Sequence, residues 1–269
     1  MTYKIALAQV YSDLDQGVNQ VKLTKVVKQA ATNRAQLVIF PEMFMSTVSA
    51  EAGLEEINQH AETLDGPFVA NAKRAAIDNH VWVIFGMRET NDDPNDKRVY
   101  NTIVVINDGG EVVSTYHKTH LYDAFGTKES DQIKPGDKLF EPIETPFGKI
   151  GLFVCYELRF PEVARYEAVH GADVIIIPTS WFSGPLKEYH WSSLLKARAI
   201  ENTTFIVGCD KPASNTRVGL SQVVNPIGIV AAQAGTDEEI LYADIDLDQI
   251  KHVREKLPSA AQRMPELYD

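Results

Sequence analysis

The chain runs twice through one order of strands. IALAQV (5–10), AQLVIFPE (35–42), VWVIFG (81–86) and VINDGGEV (105–112) are answered, in the same order, by IGLFVC (150–155), ADVIIIPT (172–179), TTFIVG (203–208) and VVNPIGIV (223–230). The matched segments start 145, 137, 122 and 118 residues apart, so the loops of the second half are shorter. The last pair reads as a hairpin in both halves, with Asn107 answering Asn225 and Gly110 answering Gly228. A single match means little, because apolar strands resemble one another. Four in sequence define an internal repeat.

The repeat limits the fold. The strands are continuous apolar runs, as expected where both faces of a sheet are covered. Between them lie segments of helical period: VNQVKLTKVVKQAA (18–31), with Val18, Val21, Val26 and Ala30 at helical spacing, and a helix expected from Pro67 to Asn79. Strands alternating with helices place the chain in the α/β class. Two half-domains, each a sheet with helices on one face, can bury their remaining faces on each other. That is a four-layer αββα sandwich, expected as a single domain over residues 1–269. A single doubly wound sheet is the competing architecture. Neither G-x-G-x-x-G nor G-x-x-x-x-G-K occurs to support a nucleotide fold.

Composition narrows the partners. A net charge of −11, with no Lys/Arg-rich stretch, argues against nucleic acid. No run approaches the roughly 18 apolar residues of a membrane helix, and the first apolar run is too short for a signal peptide. Two cysteines make no disulfide framework. A soluble cytoplasmic protein is expected.

Three residues at strand ends draw attention, because α/β folds gather ligands there. Glu42 follows LVIF-Pro, Cys155 ends IGLFV, and Lys118 follows EVVSTY in YHKTHLYD. Thr179 holds the position of Glu42 in the second half and is a candidate substrate-binding residue. Taken singly, Cys155 reads as a core thiol, Glu42 as a cap or solvated carboxylate, and Lys118 as a surface cation. Together they form an acyl-transfer set. The carboxylate accepts the thiol proton, and the ammonium faces the developing oxyanion. A nearby lysine lowers a thiol pKa and a nearby carboxylate raises it, so Cys155 is expected to titrate near neutral pH.

The segments FPEMF (40–44), HKTHLYD (117–123) and CYELRFPE (155–162) resemble those of the nitrilase superfamily, the carbon–nitrogen hydrolases. The resemblance extends through WFSGPLKEYHW (181–191), KARAIENT (196–203) and the tail near Leu267 and Tyr268. It implies an αββα fold and a homodimer or higher homo-oligomer, with the tail 256–269 at the interface. It implies a Glu42–Lys118–Cys155 triad, a further glutamate at Glu129, and neither metal nor organic cofactor. It implies hydrolysis of a small amide through a thioester, with the Tyr156 N–H assisting Lys118. CYELRFPE and RAIENT resemble the branch of ω-amidase and deaminated-glutathione amidase, whose monoamide substrates carry a free carboxylate. The group that would hold that carboxylate is not identified by the sequence. N-carbamoyl amino acid hydrolysis, nitrile hydrolysis and a catalytically idle scaffold remain alternatives.

Other residues have local readings. His117 or His120 could serve a Cys–His pair in place of Glu42. Cys209 reads as core. Arg159 and Glu162 read as a local ion pair. Trp181 and Phe182 follow Thr179, and Trp181 is assigned to the acyl pocket. Trp191, Leu194, Leu195 and Arg198 mark a packing helix. TNDDPNDK (90–97) reads as a solvated turn.

Overall fold

The computed structural model describes residues 2–49 and 51–267. In chain order its principal elements are β1 (Thr2–Gln9), α1 (Gln16–Thr32), β2 (Leu37–Ile39), α2 (Leu54–Gln59), α3 (Pro67–Asn79), β3 (Trp82–Glu89), β4 (Tyr100–Ile106), β5 (Val112–His117), β6 (Asp123–Ala124), β7 (Thr127–Lys128), β8 (Ile143–Thr145), β9 (Gly148–Leu152), α4 (Pro161–Val169), β10 (Val174–Pro178), α5 (Lys187–Asn202), β11 (Phe205–Cys209), β12 (Gln222–Val224), β13 (Val230–Gln233), β14 (Glu239–Asp246) and α6 (Leu247–Lys256).

Two six-stranded sheets result, ordered β14-β1-β2-β3-β4-β5 and β13-β12-β11-β10-β9-β8. The period of two within each strand explains its unbroken apolar run. In the first sheet, Ile5, Leu7, Leu37, Ile39, Ile84 and Val105 share one core with Phe147, Ile150 and Leu152 of the second half. The alternate residues Ala6, Ala8, Val38, Phe40, Val83 and Phe85 pack under Leu23, Val27 and Ala30 of α1 and Phe68, Ala72 and Ala76 of α3. On the far side, α4 and α5 bring Val163, Trp191, Leu195 and Ala199 to the second sheet. The αββα sandwich expected from the repeat is the fold, and the single doubly wound sheet is not.

The repeat persists in atomic detail. Asn107 Oδ1 accepts the Glu111 N–H at 2.9 Å, and Asn225 Oδ1 accepts the Ile229 N–H at 3.0 Å. Gly110 and Gly228 close the same turns at φ +77° and +82°. A side chain there would meet Ile77 of α3 at 2.6 Å or Ile200 of α5 at 2.5 Å. The sixth strands break the simple pattern. β8 ends the first half but lies antiparallel to β9, while β14 ends the second half and lies antiparallel to β1. Each half thus hands its last strand to the other half's sheet.

Two expectations need correction. The α1 helix forms, begun by Asp15 accepting the Gly17 N–H, but it buries Asn19, Leu23, Val26, Val27 and Ala30. Val18 and Val21 are 46% and 71% exposed. Asn19 decides the face: its Nδ2 donates to the Asp13 and Met45 carbonyls, pinning that side of the helix inward. Likewise β9 stops at Leu152, and Cys155 opens a separate 3-10 turn over Cys155–Arg159. Among the described residues no helix is long and apolar enough to cross a membrane.

Candidate active site

Glu42, Lys118 and Cys155 reach one place from three strand ends. Glu42 follows β2, and the next residue, Met43, turns at φ +53°. That turn lies directly on β3, where Gly86 makes room: a Cβ there would sit 2.5 Å from Met43 N. Lys118 continues from β5, its N–H donating to the Asn101 carbonyl at 2.9 Å. Cys155 sits at φ +47°, a left-handed position that a residue with a side chain rarely adopts. It is 6% exposed.

The charges are paired and dry. Lys118 Nζ donates to Glu42 Oε1 at 3.0 Å and to Glu129 Oε2 at 2.9 Å. Asn101 Nδ2 donates to Glu42 Oε1 at 2.7 Å and to Glu129 Oε1 at 3.3 Å. Glu129 is further fixed by the Tyr122 N–H at 2.6 Å. Burial pushes the Glu42 carboxyl up, but the charge of Lys118 and hydrogen bonds from Lys118, Asn101 and Cys155 hold it below its ordinary range. Glu129 and Glu42 raise Lys118 well above a free lysine against the opposing effect of burial. Arg88 backs the cluster from β3. It stands opposite Asn101 in the ladder and donates to the Ser46 carbonyl at 2.8 Å. Burial lowers its pKa to about 10, with Glu42 and Glu129 opposing that fall.

The Cys155 thiol does not titrate near neutrality, as the balance of its two charged neighbours implied. Burial and the Glu42 charge push it well above a free thiol, and Lys118 and the Ser180 N–H offset only part of that. Loss of water, the largest influence on the thiol, adds to the effect of the carboxylate and outweighs the lysine.

A narrow cleft opens onto Cys155. Tyr122, Tyr156, Trp181 and Phe182 form its walls, and Arg159 and Lys187 bring charge to it. Trp181 is held by its N–H to Asp210 Oδ1 at 2.9 Å and its indole N–H to the Lys187 carbonyl at 3.0 Å. Thr179 is fully buried, donates its hydroxyl to the Ile177 carbonyl at 3.1 Å, and does not line this cleft. Arg159 does not form the local ion pair with Glu162; its guanidinium lies 4.8 Å from the Trp181 ring centre. Lys187 Nζ lies 3.9 Å from the Phe125 ring centre.

Neither histidine beside Lys118 serves the thiol. His117 pairs with Glu89 at 2.9 Å, and His120 faces Thr119 Oγ1 at 2.9 Å and packs on Phe160. Cys209 is fully buried, its Sγ 3.2 Å from the Ile39 carbonyl. Among the described residues no group of three or more His, Cys, Asp or Glu is arranged to hold a metal ion. Asn101, Arg88 and Lys187 escaped the sequence reading. Asn101 left one trace, a buried amide inside the apolar strand YNTIVVI.

The carbon–nitrogen hydrolase family model matches residues 4–255, and the chain belongs to that family. The deaminated glutathione amidase of Escherichia coli O157:H7 is 33% identical over 233 residues, 87% of this chain and 86% of the relative. The omega-amidase NIT2 of Bos taurus is 31% identical over 279 residues, 100% and 97% of the two chains. The crystal structure of Nit3 from Saccharomyces cerevisiae, a member of branch 10 of the nitrilase superfamily, superposes with a TM-score of 0.85 at 29% identity, covering 97% of this chain and 96% of that one.

Proposed function

We propose that the chain hydrolyses the C–N bond of a small linear amide whose far end is anionic. Cys155 is the nucleophile. Because its thiol is protonated at rest, Glu42 takes the proton as sulfur attacks the amide carbon. Lys118 and the Tyr156 N–H stabilise the oxyanion. Glu42 returns the proton to the nitrogen, the C–N bond breaks, and ammonia leaves a thioester. Water then loses a proton to Glu42 and attacks the thioester. The C–S bond breaks, the acid is released, and sulfur regains its proton. Glu129 holds Lys118 in place.

The observation that carries this reading is the Glu42–Lys118–Glu129 ion-pair chain, close enough to Cys155 for Glu42 and Lys118 to act on its thiol. The anionic end is supported by two cations, Arg159 and Lys187. They line the Cys155 pocket against aromatic rings, and no described carboxylate pairs with either. Burial and the charge of Arg159 lower the Lys187 pKa, so the two cations oppose each other until an anion enters. The amidases among the relatives support the amide.

Ammonia release from monoamides of short dicarboxylic acids, set beside neutral amides of equal length, N-carbamoyl amino acids and nitriles, tests the reading. The charged monoamides should lead. Arg159→Ala should raise their KM at least tenfold, the loss of a charge-assisted hydrogen bond worth about 1.5–3 kcal/mol. Equal turnover of neutral amides, or turnover confined to nitriles or carbamoyl compounds, overturns it.

The same proposal includes one domain over residues 1–269 in the cytoplasm, paired as a homodimer through the tail 256–269. The unpaired thiols Cys155 and Cys209 support the compartment. The exposed Leu257, Met264 and Leu267 support the tail contact, while Tyr268 lies outside the described residues. Light scattering checks the pairing.

A further inference from the structure

Lys118 and Cys155 are carried by opposite sheets, so something must hold them at a fixed separation. The backbone of Lys118 leaves β5 in the first sheet, and Cys155 follows β9 in the second. Between them lies a third carboxylate, Glu157, with no exposed surface.

Its two oxygens are divided between the two segments. Oε1 accepts the Tyr116 hydroxyl at 2.7 Å, the Thr119 N–H at 3.0 Å, the Thr119 hydroxyl at 2.6 Å and the His120 N–H at 3.2 Å. His120 Nδ1 stands 3.4 Å from the same oxygen. Oε2 accepts the Val154 N–H at 2.7 Å. The first group brackets Lys118 and the last immediately precedes Cys155. These partners donate, so an ionised carboxylate suits them and an amide does not. Glu157 is absent from the pocket lining.

We infer that Glu157 is a positioning residue that sets the separation of Lys118 from Cys155 by joining their backbones through one carboxylate. The inference rests on the roles proposed above for those two residues. Burial pushes the Glu157 carboxyl up, and bonds from His120, Thr119, Tyr116 and Val154 more than reverse it, so the charge is kept.

Three variants test it: Glu157→Gln, Glu157→Asp, and Glu167→Gln as a buried control outside the site. Glu157→Gln should lower kcat about 100-fold, the scale of a displacement near 1 Å, with KM within threefold. Glu157→Asp should retain more activity than Glu157→Gln, because a carboxylate on a shorter arm can still accept from these donors, whereas an amide sets its own N–H groups against them. Glu167→Gln should leave kcat unchanged. A Gln variant within threefold of wild type, or one better than Asp, overturns the inference. If Glu157→Gln does not fold, Tyr116→Phe and Thr119→Val each remove a donor, and unchanged kcat in both overturns it.

Alkylation of Cys155 by iodoacetamide across pH gives a readout without substrate. Glu42, Lys118, Asp210 and Lys187 act on the thiol electrostatically, the two carboxylates raising its pKa and the two lysines lowering it. Loosening Lys118 in Glu157→Gln should move the midpoint up by half a unit or more, and an unmoved midpoint counts against the inference. If instead wild type turns over no amide while the midpoint moves, the catalytic reading has failed and the positioning role stands.

Discussion

Glu167→Gln should stabilise the protein progressively above pH 5. Glu167 lies on α4 with no exposed surface, behind β9 at a point where Gly151 leaves room: a Cβ there would sit 2.6 Å from Glu167 Oε2. The Leu152 amide is near, but neither carboxyl oxygen completes a hydrogen bond of ordinary geometry. Burial, helped by Glu157 and Glu141, pushes the pKa from 4.5 to about 9. Between those values folding takes up a proton. The contribution to stability is therefore full below pH 4.5 and is lost as pH rises toward 9, at up to about 1.36 kcal/mol per unit. By pH 7.5 that slope has removed roughly 4 kcal/mol. Glutamine keeps the shape and does not titrate. The neutral acid and the amide bury similar polar groups, so the two proteins should match near pH 5 and separate above it. Urea unfolding from pH 5 to 8.5 measures the gap directly. Parallel curves would mean that Glu167 is ionised or hydrated in the native state, and the reasoning from burial would fall.

Cys155→Ala should lower ammonia release by about 10⁴-fold or more while the circular dichroism spectrum stays unchanged. Glu42→Gln should cost on the order of 10²–10⁴ in kcat and His120→Ala less; the opposite ranking in steady-state assays would favour a Cys–His pair. Gly86→Ala drives a methyl against the Met43 backbone and should cost about 1–3 kcal/mol of stability in urea titrations, with a loss of activity as Glu42 shifts. Arg88→Met removes a positive charge that favours ionised Glu42, so the Glu42 pKa should rise. Because the base works only when ionised, the acid limb of the pH–rate profile should move to higher pH, and an unmoved limb would show that Arg88 serves only Ser46.

The layer order was legible because it depends on local pattern, whereas Glu42, Lys118 and Cys155 each read blandly alone and stood out only as a set. Apolar runs, helical spacing and the position of a reactive side chain after a strand can all be read along the chain. What escaped depends on neighbours distant in sequence. Asn101 matters because Glu42 and Glu129 both approach it, 59 and 28 residues away. Val18 and Val21 carry helical spacing yet face water, because Asn19 finds the Met45 carbonyl inside. The Cys155 thiol was misjudged for the same reason, since burial is a property of the assembled site. The strand exchange was invisible because the repeat orders segments along the chain, whereas pairing across halves is decided in space.

That exchange sets an order of events during synthesis. Thr2 lies opposite Asp246 and Gln9 opposite Glu239, so β1 leaves the ribosome long before its outer neighbour β14 is made. Contacts so far apart in sequence close slowly. Until then β1 presents an open row of amides and carbonyls, the kind of edge that recruits other chains. A nascent chain stopped before residue 239 leaves that edge bare however well the rest has formed, and its first strand is a place for a chaperone to hold.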